Sequence, residues 1–149
     1  MIADIGLQRD WRPPVREPLL IEIGPGELID RLSILHLKRA HASPAPQPAI
    51  LEQIEALEAL HRSLAVEADD VLAPLAAELE AINRRLWDIE DALRTCEAEQ
   101  RFDADFVALA RRVYLENDQR GRVKAAIDEA LGLAARDVKI YHRSRRAAP

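Results

Sequence analysis

Asn83, Trp87, Glu90 and Arg94 recur at steps of four, three and four, the spacing that stacks side chains along one face of a helix. Together they offer an amide, an indole, a carboxylate and a guanidinium. A second stretch, "YLENDQRGRVK" at 114–124, offers Tyr114, Asn117, Asp118, Arg120 and Lys124. A third, opening at "GPGELID", offers Glu27, Asp30, Arg31 and Lys38. Guanidinium and ammonium groups gathered between aromatic walls suit a carboxylate or a phosphate. Trp87 and Tyr114 would be the walls, with Arg94, Arg120 and Lys124 as the anion contacts. The same groups have a simpler use: Glu27, Asp30 and Glu90 can satisfy the cations in an internal ion-pair network that fixes helix register. The candidate polar layer is therefore Glu27, Asp30, Lys38, Asn83, Trp87, Glu90, Arg94, Tyr114, Asn117, Asp118, Arg120 and Lys124.

The stretch at 114–124 draws attention because it interrupts an apolar rhythm. In steps of four and three the stripe reads Phe106, Ala110, Val113, Asn117, Arg120, Lys124, Ile127 and Leu131. Slid by one it reads Leu109, Val113, Glu116, Arg120, Val123 and Ile127. In either register about one and a half turns of the inward face are polar, and buried charges there need partners or water. A break in the helix at "ENDQRG" would be another way to house them, since Asn117 and Gly121 are both turn residues.

The elements that must position these groups are helices. Leu72, Leu75, Leu79, Ile82, Leu86, Ile89, Leu93 and Cys96 alternate in steps of three and four over about 71–100, a heptad seam of the kind found in helical hairpins and coiled coils. Asp70 would cap that helix, with Pro74 in its first turn. An earlier helix begins at Pro25, with Glu27 and Asp30 in its first turn, where carboxylates suit the helix dipole. "SPAPQP" at 43–48 breaks the chain before a helix over about 48–68, and Asp103 would cap a fourth after "EQRFD". "LLIEI" at 19–23 has the length and isoleucines of a short strand, for which "VKIY" at 138–141 is the available partner. The expected fold is all-α: one domain at 18–141, a bundle of about four helices with a short N-terminal strand, between an arm at 1–17 and a basic tail at 142–149.

At 149 residues the chain suits one domain. Its net charge of −5 gives no general attraction to nucleic acid or to anionic membranes, and helix-turn-helix and zinc spacings are absent. The single cysteine, Cys96, falls on the seam as a packed thiol, which fits a reducing compartment. His61 has no ligating partner one turn away, so no metal and no cofactor is expected. No run approaches the ~18 apolar residues of a membrane span, and a cytoplasmic location is expected.

"LLIEIGPGELIDRLSILHLKR", "ELEAINRRLWDIEDALR" and "FDADFVALARRVYLENDQRGRVKAAID", with "VKIY" near the end, resemble a bacterial family of short proteins whose function is unknown. The resemblance covers about residues 17–141 apart from the second helix. Most members carry serine where this chain has Gly24. It implies Glu27, Asp30, Lys38, Asn83, Trp87, Glu90, Asp91, Arg94, Asp103, Phe106, Arg111, Tyr114, Asn117, Asp118, Arg120 and Lys124 as signature positions, and transfers no catalytic role.

Two functional classes compete. One is a non-enzymatic helical interaction or assembly module, with a protein partner or a second copy of itself. The other is a small all-α enzyme on an anionic metabolite. "ELIDRLSILHLKR" is similar to the first helix of the helical chorismate mutases, in which Arg31, Lys38, Arg94 and Arg120 would surround a dicarboxylate and act by electrostatic preorganisation. A Mg²⁺-dependent helical nucleotide pyrophosphohydrolase would instead use Glu78, Glu80, Glu90 and Asp91 with Glu116 and Asp118. The closely spaced acidic pairs of that class are not evident. The interaction module is the favoured expectation.

Overall fold

A computed structural model describes residues 21–64 and 69–133. Within them the chain forms four helices: α1 (Pro25–His41), α2 (Gln47–Leu64), α3 (Asp69–Ala98) and α4 (Ala104–Ala130). Among the described residues there is no strand. The expected strand pairing of 19–23 with 138–141 depends on residues outside that set, as do the arm at 1–17 and the tail at 142–149.

The helix boundaries follow local chemistry. Pro25 opens α1, where its missing N–H costs nothing and its fixed φ suits the first turn. Lys38, Arg39 and His41 end it, cations at the negative end of the helix dipole. After α3, Gln100 adopts a left-handed φ of 53°, and the Arg101 N–H returns to the Cys96 carbonyl at 2.8 Å. Asp103 then caps α4 as expected, accepting from the N–H groups of Asp105 and Phe106 at 3.1 Å each. At the far end of α4, Gly132 takes a φ of 73°, and the N–H of Leu133 reaches the Asp128 carbonyl at 2.9 Å. Two boundary expectations need correction. α3 starts at Asp69, so Asp70 lies inside it rather than capping it, and Pro74 sits beyond the first turn.

α4 runs unbroken through 116–121, which removes the turn at "ENDQRG". The Asn117 amide donates to the Val113 carbonyl one turn back, at 2.9 Å. The register is the slid one. Ala110 is exposed, Leu109 and Val113 are half-buried, and Val123 and Ile127 are buried.

The α3 seam meets α4 as an antiparallel hairpin. Leu72, Leu79, Ile82 and Leu86 join Ile29, Val123 and Ile127 in the main core. Leu79, Ile82 and Ile127 have no exposed surface, and each such side chain contributes about 1.5–3 kcal/mol by leaving water. Leu35, Ile50 and Ile54 make a second, smaller core between α1 and α2. α1 touches every other helix, whereas α2 packs on α1 alone. No helix of the described residues is long and apolar enough to cross a membrane.

Candidate functional site

α1 holds the centre of the polar layer. Asp30 is 1% exposed, and its carboxylate is gripped from both arms of the hairpin. From α4, Arg120 donates through Nε to Oδ1 at 2.8 Å and through Nη2 to Oδ2 at 2.5 Å. From α3, the Asn83 amide donates to Oδ1 at 2.9 Å and also to the Ser33 hydroxyl at 2.6 Å. The Arg120 guanidinium further reaches Asn117 Oδ1 at 3.4 Å. A bidentate guanidinium–carboxylate pair with its remaining lone pairs occupied is the form in which a buried charge is tolerated. The hydrogen bond to Asp30 raises the Arg120 pKa above its ordinary value, against the effect of burial.

One turn toward the start of α1, Lys124 donates to Glu27 Oε2 at 2.6 Å and lies 4.0 Å from Asp30 Oδ2. Arg31 donates to the other Glu27 oxygen at 2.6 Å. Burial alone would raise the Glu27 pKa, but the hydrogen bonds and charges of Lys124 and Arg31 outweigh it and hold the carboxyl below its usual range. At the very start of the helix, Gly24 supplies no side-chain cap. The cap comes from 102 residues away, where Asp128 Oδ1 accepts the Gly26 N–H at 2.8 Å. Gly26 is required there by the close approach of α1 to α4, since a Cβ would stand 2.3 Å from the Lys124 carbonyl oxygen.

Seven of the twelve candidate residues meet in this region: Glu27, Asp30, Asn83, Asn117, Arg120 and Lys124 in the network, and Trp87 at its edge. The indole stacks on the His41 ring at a centroid distance of 4.8 Å and an interplanar angle of 27°. His41 Nδ1 lies 2.8 Å from the Leu37 carbonyl, which assigns the proton to that nitrogen. Trp87 Nε1 is buried without a hydrogen-bond partner.

The other five lie elsewhere. Glu90 and Arg94 are exposed and pair with each other along α3 at 3.5 Å. Tyr114 is 50% exposed on α4. Asp118 is half-buried outside the network, and Lys38 is exposed on α1. Lys38 and Arg31 rim a groove of about 400 Å³ between α1 and α2, lined by Ile34, Leu35, Gln53, Ala56 and Leu57.

Geometry explains the division. From Asp30 to His41 α1 advances about 16 Å, whereas from Asn83 to Trp87 α3 advances only about 6 Å. α1 therefore lies oblique to α3 and ends over Trp87. Glu90, Arg94 and Tyr114 continue the face that α1 covers, beyond its reach.

Several contributors were not singled out beforehand. Ser33 and Asp128 stand three and four residues from Asp30 and Lys124, so helical periodicity alone pointed to them. Arg85 flanks the α3 seam and grips Glu116 with both carboxylate oxygens at 3.0 Å, which raises its pKa. Glu116 itself stands in the slid register of the α4 stripe. Among the described residues, no group of three or more His, Cys, Asp or Glu is placed to hold a metal ion.

The model of a family of unknown function, DUF6165, matches residues 19–143. No curated protein and no solved structure matches the chain.

Proposed function

We propose that this chain, which belongs to that family of unknown function, is a non-enzymatic helical interaction module. The observation that carries this reading is the mutual satisfaction of the layer. Arg120 is held by Asp30, and Lys124 by Glu27. A site for an anionic metabolite needs cations with free donors directed at the ligand, and here the cations donate to the protein's own carboxylates. The network fixes α1 on the hairpin. The exposed continuation of the same face, with Tyr114 at its start, is the surface for a partner.

A photo-crosslinking residue placed at Tyr114, compared with one at the exposed Arg122 on the opposite side of α4, tests this in cells. Protein adducts from 114 and none from 122 are expected. Adducts from neither position would count against the module.

One observation favours a small anionic ligand instead. The α1–α2 groove combines an apolar floor with the cations of Arg31 and Lys38. Assays of the purified protein for chorismate turnover and for Mg²⁺-dependent hydrolysis of nucleoside triphosphates separate the two classes. Turnover lost in Lys38→Ala would replace the module with an enzyme, and absence of turnover is expected.

A further inference from the structure

Between Trp87 and the end of α3 the hairpin runs on for about 16 Å, and its α1-facing side stays open. One wall of this distal face is apolar. Phe106, Ala110 and Tyr114 follow at steps of four along α4, with Val107 beside them. Val107 and Tyr114 are each about half exposed, at 51% and 50%, and Ala110 between them is exposed. A small residue between larger apolar ones lets a second helix approach to about 8–10 Å. The other wall, on α3 and the turn after it, alternates in sign through Glu90, Arg94, Glu97 and Arg101.

We infer that the occupant of this face is a second copy of the chain. The inference rests on the interaction-module reading and names its partner. Two hairpin tips meet about a two-fold axis near Ala110, apolar wall to apolar wall, and Glu90 of each copy meets Arg94 of the other. Charge complementarity selects this occupant. A wall of alternating sign presents as many like as opposite charges to a uniformly acidic or basic partner, whereas an antiparallel copy of itself brings carboxylate to guanidinium throughout. Arg94 is free to exchange partners. Its ion pairs with Glu90 and Asp91, at 3.5 and 3.7 Å, are exposed and hold it weakly. The pairing also continues the interface by which α1 already covers the base of the same groove. The face is about 20 Å long and two helices wide, which places the interface at the low end of specific contact areas and the expected dissociation constant in the micromolar range.

Sedimentation velocity of the full chain from about 1 µM to about 1 mM spans that range. The mass should rise from 16.7 kDa toward twice that value. Ala110→Arg should abolish the rise while leaving the melting temperature unchanged, because the site is exposed. Glu90→Arg and Arg94→Glu should each weaken self-association at least tenfold, and an equimolar mixture of the two should restore it. Changes in folding alone cannot produce that restoration. A strict monomer at every concentration, or a dimer indifferent to Ala110→Arg, overturns the inference. Adducts from position 114 to a different protein, with the purified chain monomeric, overturn self-association and leave the interaction module standing.

Discussion

The two halves of the α3–α4 hairpin carry one continuous face, and they differ in what lies on it. Near the base, α1 crosses that face and meets it with Glu27 and Asp30. Arg120, Lys124 and Asn83 are thereby drawn into a network around a carboxylate that is 1% exposed. Toward the tip, Glu90, Arg94 and Tyr114 stand on the same face in solvent. Similar side chains thus have different energetic roles. A charged pair removed from water is costly to break, because the surviving partner is stranded. An exposed pair at helical spacing contributes little and is screened by salt. Sequence spacing alone gives both halves equal standing, and the position of α1 separates them.

The largest expected effect tests that asymmetry directly. Arg120→Ala strands Asp30 and should cost about 3–5 kcal/mol in denaturant unfolding. Recovery of most of that loss on adding Asp30→Asn would confirm that the stranded charge causes it. A loss below about 1 kcal/mol for Arg120→Ala would mean that the base of the hairpin is as solvated as its tip.

Gly26→Ala is expected to come next, at about 1–3 kcal/mol, because its methyl would meet the Lys124 backbone carbonyl and push α1 from its seat. Thermal unfolding reads the loss, and an unchanged melting temperature would contradict the close α1–α4 approach.

A smaller effect appears with pH. The Glu27 pKa is lowered in the folded protein from an ordinary 4.5. The unfolded chain therefore binds the proton more readily, and stability falls as pH drops. The contribution is complete above the ordinary carboxylate range and disappears as pH falls through the lowered folded value. Unfolding free energies of the wild type and Glu27→Gln should converge as the pH is taken below about 4.5. Parallel curves would remove Lys124 and Arg31 as the cause. Asp103 gives the same sign at the tip: its carboxylate accepts backbone N–H groups, first from Phe106, and its pKa is likewise lowered.

The smallest effects belong to the distal face. Arg94→Ala and Tyr114→Ala should each change the unfolding free energy of the monomer by no more than about 0.5 kcal/mol. A loss comparable to that of Arg120→Ala would erase the contrast between the halves.

Much of this architecture was legible before the fold. The α3 seam from Leu72 to Cys96 follows from apolar spacing, and the Asp103 cap from the residues around it. The polar interruption on α4 also identified the layer, since an inward stripe that turns to Asn, Arg and Lys must find partners. The α4 register was less legible. Ala110 and Leu109 are both apolar, so either could face inward, and packing against α3 chose Leu109. The Asp128 cap on α1 was illegible because Gly24 gives no local sign of how the helix start is satisfied.

The sequence by itself determined the helices, their amphipathic faces and the presence of opposite charges on three of them, because periodicity and capping act over a few residues. Only the tertiary structure decided which charges are buried together. That depends on the oblique path of α1 and on where it ends, set by contacts such as Gly26 with Lys124 and Asp128, Asp30 with Arg120, and His41 with Trp87. These contacts join residues far apart in the chain, and no local spacing encodes them.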